Sequence, residues 1–259
     1  MLVDIEKTNE RARASMADFD AIYGTDLVYQ SDCWKLCGDA HCCTFGRHKA
    51  RFRLIGRMSA QELPLLPGEH DFLMRRGLIE SFAAHSHKCV EFRFGEYRLT
   101  VESLVIKDAA CACRHDARTT VCRLYPVLPV FDIDGRMIGV DRLGIYDKLE
   151  AIEGSGPICR IGSIPLTELP KLLGIAHAIA RDPRSLFYVM AYHLAQSHAV
   201  RRVEAACQGA EGAASPNPFR VFETLLLNNK AVEASGLEAD LVALARGFEG
   251  RYGAAFQLP

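Results

Sequence analysis

An apolar leader is not expected from the sequence. Its first twenty residues, MLVDIEKTNERARASMADFD, are charged throughout and contain no h-region, so no secretory signal is expected. Nowhere does a run approach the roughly 18 apolar residues of a membrane span; the most apolar stretches, YPVLPVF and SLFYVMAYHLA, are short and interrupted. An excess of one charge is missing too. With 31 Lys and Arg against 32 Asp and Glu, the net charge of −1 supplies no field that draws nucleic acid. The motifs G-x-x-x-x-G-K-[ST], H-E-x-x-H and G-x-S-x-G are absent, which removes the P-loop, zincin and nucleophile-elbow chemistries. The stretch Gly154-Ser155-Gly156-Pro157 lacks the flanking pattern of a dinucleotide turn and reads as a loop placing Cys159. Asp132-Ile133-Asp134-Gly135 lacks the third acidic position and terminal Glu of a calcium loop, so it reads as a hairpin turn. There is no internal repeat, and the one low-complexity tract is GAEGAASPNP, residues 209 to 218. These absences lead to the expectation of a cytoplasmic protein with reduced thiols, no membrane partner and no nucleic-acid partner.

Cysteine is what the sequence has in abundance. There are ten, and nine lie between residues 33 and 159: Cys33, Cys37, Cys42, Cys43, Cys89, Cys111, Cys113, Cys122 and Cys159, with Cys207 apart. Buried thiols used as small hydrophobes scatter through a core, whereas chelation needs groups at short spacing. A chain of 259 residues with 49% hydrophobic content builds a core without disulfide staples. Cys33-x3-Cys37-x4-Cys42-Cys43 is followed by Cys111-x-Cys113-x8-Cys122 and then Cys159. Soft thiolates in this arrangement suit zinc or an iron–sulfur cluster. The expected ligands are Cys33, Cys37, Cys42, Cys43, Cys113, Cys122 and Cys159. Successive side chains diverge, so one of Cys42 and Cys43 is expected as a ligand and the other buried or serving a neighbouring metal. The surplus of clustered thiols favours an iron–sulfur cluster, with zinc as the alternative. The radical S-adenosylmethionine signature Cys-x3-Cys-x2-Cys is not met, because residue 40 is alanine and the next cysteine is Cys42.

CWKLCGDAHCC and ACACRHDARTTVCRLYP resemble the two blocks of the YkgJ-type cysteine-cluster family, described as zinc- or iron-chelating domains. Cys113, Arg118, Cys122, Arg123, Tyr125 and Pro126 fill the second block, and the resemblance covers roughly residues 30 to 160. It implies a bound metal beside which a protein or small molecule is modified. The flagellin lysine N-methylase, a relative of that family, is similar in pairing such cysteines with an iron–sulfur cluster and S-adenosylmethionine.

Among the histidines, His41 and His115 lie inside the cysteine blocks, His48 follows the first block, and His85 and His87 share a face if their segment is extended. The segment GRHKARFRLIGR, residues 46 to 57, alternates Arg47, Lys49, Arg51 and Arg53 with Ala50, Phe52 and Leu54, the period of a half-buried strand. Its basic face, with Arg123 and Tyr125 beside Cys122, is the expected site for an anionic cofactor or substrate: arginine offers a fork to carboxylate or phosphate, and tyrosine a hydroxyl donor.

The rest of the chain reads as α+β. Residues 5 to 22 are helical, with an apolar stripe at Met16, Phe19, Ile22 and Tyr23. Residues 59 to 77 suggest a short helix, a Pro-bounded turn and a second helix. Strands are expected over 88 to 106, broken at Gly95-Glu96, and a hairpin at PVFDIDGRMIGVD. After Pro165 helical period prevails, starting near Thr167, Leu169 and Pro170. A cysteine-cluster metal-binding module over 1–165 and a helical module over 166–259, possible as one packed body, are therefore expected. The function expected is that of an iron–sulfur or other iron protein, enzyme or redox carrier. The alternative is a zinc-stabilised binding module whose helical half recruits a partner.

Overall fold

The computed structural model describes residues 3–4, 16–29, 51–54, 61–82, 84–107, 114–154, 164–208, 216–228, 236–253 and 256. The fold is mixed α+β. Its elements in chain order are β1 (Val3–Asp4), α1 (Met16–Gly24), β2 (Gln61–Leu65), α2 (Glu69–Arg75), β3 (His85–Phe94), β4 (Tyr97–Ile106), α3 (Thr120–Leu124), β5 (Val127–Phe131), β6 (Met137–Arg142), α4 (Ile145–Glu153), α5 (Leu169–Arg181), α6 (Pro183–Gln208), α7 (Pro218–Leu227) and α8 (Leu237–Tyr252).

The long hairpin β3–β4 organises one half. The strands pair antiparallel from His85 opposite Ile106 to Phe94 opposite Tyr97. The far edge of β4 pairs antiparallel with β2 and parallel with β1. Gly95 makes the tight turn possible. Its φ is +53°, and a Cβ there would lie 2.8 Å from a methyl of Val242 on α8, so both the conformation and the close approach require glycine. One sheet face presents Leu63, Leu65, Leu104 and Ile106 to α2 and its surroundings, where they pack with Leu73, Ile79, Phe82 and Ala117. The second hairpin, β5–β6, turns at Gly135 with φ +77°, as the Asp-Gly pair predicts.

The helices have legible boundaries. Asn217 caps α7, its side chain accepting from the N–H groups of Phe219 and Arg220, with Pro218 in the first turn. Asp182 receives Ser185 through both main-chain N–H and hydroxyl at the start of α6. Gly154, at φ +76°, closes α4.

The character of the chain changes near residue 165, but the largest core crosses that point. Phe19, Phe94 and Tyr97 from the first part pack with Leu172, Ile175, Phe187 and Phe248 from the second. Polar ties follow the same seam: Val28 N–H donates to Glu168 (2.9 Å), Tyr97 hydroxyl to Glu249 (2.7 Å), and Arg181 pairs with Asp18 (2.6 Å).

Two local expectations are corrected. Residues 61 to 65 are strand rather than helix, because pairing with β4 overrides a segment whose apolar residues fit either period. Residues 51 to 54 are a turn rather than a strand. Phe52 is drawn into a third core with Leu149, Val203, Phe219 and Phe222, and the apparent alternation belongs to one buried anchor between polar neighbours. Residues 46 to 50 and 55 to 57 lie outside the described residues. Among the described residues no helix is long and apolar enough to cross a membrane.

Candidate functional site

Cys122 is the one expected metal ligand among the described residues. It sits half-buried on α3, a five-residue helix too short to persist without tertiary support. The support begins with Glu69, whose residue is 0% exposed. One carboxylate oxygen accepts from the Tyr23 hydroxyl (2.7 Å), the Thr120 N–H (2.6 Å) and the Thr120 hydroxyl (2.8 Å). The other accepts from the Leu66 N–H (2.8 Å). An anionic acceptor at the first N–H of α3 satisfies a donor that the helix itself leaves unmade. Burial, together with the Glu69 carboxylate, pushes the Tyr23 hydroxyl well above its ordinary range, so Tyr23 remains a neutral donor.

Arg123 secures the same helix from within. It is buried, and Nε, Nη1 and Nη2 donate to the carbonyls of Arg118 (2.9 Å), Thr25 (3.3 Å) and Asp116 (2.5 Å). Its guanidinium lies 4.4 Å over the Tyr23 ring, a cation–π contact. Burial lowers its proton affinity, and Tyr23 and Glu69 act in the opposite sense. In place of the expected anion-binding fork, Arg123 ties three backbone segments together. The C-terminal carbonyl of α3, on Leu124, accepts from the Tyr29 hydroxyl (3.1 Å). The Tyr125–Pro126 peptide that follows is cis. Tyr125 itself donates to buried Asp147 in the first turn of α4 (2.9 Å), which makes it a strut between α3 and α4.

Arg51 and Arg53 are not on a strand face. Arg51 pairs with the fully buried Glu150 (3.1 Å) and with Glu153 (2.8 Å), and lies 4.8 Å over the Phe219 ring. The main-chain N–H groups of Arg53 and Leu54 donate to the two oxygens of buried Glu223 (2.8 and 2.5 Å). Between them Phe52 makes edge contacts with Tyr146 (5.4 Å) and Phe219 (5.5 Å). The turn just downstream of the first cysteine block is therefore held by α4 and α7. The Arg53 side chain is exposed.

Cys33, Cys37, Cys42, Cys43, Cys111, Cys113 and Cys159 lie outside the described residues, as do His41 and His48. His115 opens a single 3₁₀ turn, His115–Ala117. Among the described residues no three His, Cys, Asp or Glu side chains are grouped to hold a metal ion. Cys207 is buried in the third core, its thiol 3.5 Å from the Pro216 carbonyl and pushed up by burial.

Two polar constellations were not legible in the sequence as such. One is the buried carboxylate set of Glu69, Asp147, Glu150 and Glu223, each bonded to a group remote in sequence. Only Glu69 carries a local signal, an acid in the first helical turn after Pro67-Gly68. The other lies where α2 meets the edge strand β3. His70 and His87 stack with ring centres 3.7 Å apart and planes within 4°. His87 Nε2 faces Glu102 (3.0 Å) and Cys89 Sγ (3.7 Å). His85, on the same face of β3, bonds through Nδ1 with the Phe82 carbonyl (3.0 Å). No known family, curated protein or solved structure matches the chain.

Proposed function

We propose that the chain is a cysteine-cluster metal protein of the kind its YkgJ-like blocks resemble. The resident group is an iron–sulfur cluster beside which a protein or small molecule is oxidised, reduced or modified. The observation that carries this reading is that described residues flanking both cysteine blocks in sequence are tied to α3. Tyr29 precedes Cys33 by four residues, and its hydroxyl bonds to the last carbonyl of α3. Arg114 follows Cys113 directly, and the turn after it is held by Arg123 through the carbonyls of Asp116 and Arg118. Described residues next to each block in sequence are thus tied to the helix that carries the half-buried Cys122.

The donor chemistry fits. A half-buried thiol on a braced helix is in place before the metal arrives, and thiolates are the ligands that iron–sulfur clusters and zinc share. Cys122 would hold the metal with thiolates of Cys33, Cys37, Cys42 or Cys43, Cys113 and Cys159. The group when bound supplies one-electron redox or Lewis-acid chemistry. Glu69 and Arg123 hold α3 so that the thiol needs little rearrangement to bind.

The test is anaerobic purification followed by elemental analysis and absorption spectroscopy. Iron with sulfide, and a brown thiolate-to-iron absorption lost in Cys122→Ser, is the expected result. A colourless protein with stoichiometric zinc overturns the iron reading in favour of a zinc-stabilised module, and a metal-free native protein overturns both.

A further inference from the structure

We propose that the stacked imidazoles of His70 and His87 form an acid-sensitive clasp between α2 and the edge strand β3, closed while at most one ring is charged and opened when both are. One ring has a carboxylate beside it: Glu102 faces His87 Nε2 at 3.0 Å. The other ring, His70, lies parallel to His87 at 3.7 Å. That spacing is attractive for neutral rings and for one cation on one neutral ring, and repulsive for two cations.

Among the described residues the influences on a charge at His70 are mixed. Asp71 on α2 favours a charge on His70, and His85 on β3 opposes it. Cys89 Sγ faces His87 Nε2 at 3.7 Å. The Glu62–Lys88 pair lies on the reverse face of the sheet, as the alternation along β2 and β3 requires. Burial and the neighbouring His87 hold His70 below its ordinary value, with Asp71 acting against them.

The clasp has a reach beyond its own surface. α2 begins at Glu69, the carboxylate that fixes the first turn of α3. Loosening α2 from β3 therefore weakens the brace of Cys122. The clasp is a property of the scaffold and stands whether or not Cys122 binds iron.

The experiment follows imidazole resonances and urea midpoints of the full chain between pH 8 and pH 5.5, a window spanning the ordinary histidine pKa of about 6.5. His70→Gln, His87→Gln and, as a control, His177→Gln on the exposed face of α5 are compared with the parent. The expected result is that His70 titrates at higher pH in His87→Gln than in the parent. The acid loss of the urea midpoint shrinks in both clasp variants and is unchanged in His177→Gln. Amide-exchange protection at Thr120 N–H, the donor to Glu69, falls on acidification in the parent but holds in His87→Gln. In the parent His70 titrates below the ordinary histidine value, a measurement that needs no variant. A His70 titration unmoved by His87→Gln, or clasp variants that keep the full acid loss, overturns the proposal.

Discussion

Replacing Glu69 removes the keystone of α3, and the cost follows from its four hydrogen bonds. In Glu69→Ala the N–H groups of Leu66 and Thr120 lose their acceptor inside a site where the residue is 0% exposed. Each unsatisfied buried donor costs about 1–3 kcal/mol. The hydroxyls of Tyr23 and Thr120 lose the same carboxylate but rotate to other partners at smaller cost. The total is about 2–6 kcal/mol, a large part of the roughly 5–15 kcal/mol that holds a domain folded. Glu69→Gln discriminates between charge and shape. Its amide oxygen serves the three donors grouped on one side, and its NH₂ then meets the Leu66 N–H donor to donor, so the expected loss is about 1–3 kcal/mol. Urea unfolding followed by far-UV circular dichroism measures the whole chain. Fluorescence of the single tryptophan, Trp34 beside Cys33, reports on the cysteine block. If Glu69→Ala unfolds within about 0.5 kcal/mol of the parent, the range of an ordinary surface substitution, Glu69 does not brace α3. If Glu69→Gln is as damaging as Glu69→Ala, the hydrogen-bond assignment is wrong.

Further expectations follow. Cys122→Ser lowers metal content in elemental analysis, whereas Cys207→Ser leaves it at the parent level, because Cys207 is enclosed in the third core; equal metal in both variants rejects the ligand assignment. Gly95→Ala destabilises by roughly 1–3 kcal/mol in urea melts through its positive φ and the approach to Val242, and adding Val242→Ala recovers the steric part only. Asp141 bonds to Lys148 at 2.5 Å. Burial raises its pKa, but Lys148 and the Arg142 N–H outweigh burial and leave it below the ordinary value. A lowered carboxyl contributes stability above the unfolded value of about 3.9, and that contribution disappears as pH falls through the folded value. Asp141→Asn therefore lowers the urea midpoint at pH 7, and the difference from the parent closes in strong acid; a constant difference at all pH values assigns the effect to something other than charge.

How much of this was legible depended on whether the cause was local. The β3–β4 and β5–β6 hairpins were readable because Gly95-Glu96 reverses the chain within two residues and Asp134-Gly135 marks the five-residue turn from Asp132 to Arg136, each flanked by alternating side chains. The helices after residue 165 were readable because Leu172, Ile175, Ala176 and Ile179 repeat at the period of a single buried face. The Arg51–Leu54 turn was not, because an Arg-Phe-Arg-Leu string has the same alternation whether it lies on a sheet or carries one phenylalanine into a distant core. The same holds for Gln61–Leu65, where pairing with β4 decides between two periods.

The sequence by itself determined the elements whose signals lie within a few residues, the absence of an apolar span, and the grouping of thiols that motivates a metal reading. Composition and spacing are properties of the chain and survive any folding of it. Only the tertiary structure decided what the charged residues do. Arg123 looked like a ligand fork and is a tie among three carbonyls; Arg51 looked like part of an anion-binding strand face and faces Glu150 and Glu153; Glu69, 51 residues from Thr120, anchors the helix that carries Cys122. A charge's role is set by what lies within a few ångströms of it, and decisive neighbours arrive from segments remote in sequence, as Thr25 does for Arg123 and Glu150 for Arg51. Desolvation then makes the pairing compulsory, since a buried charge without partners costs more than the fold has to give.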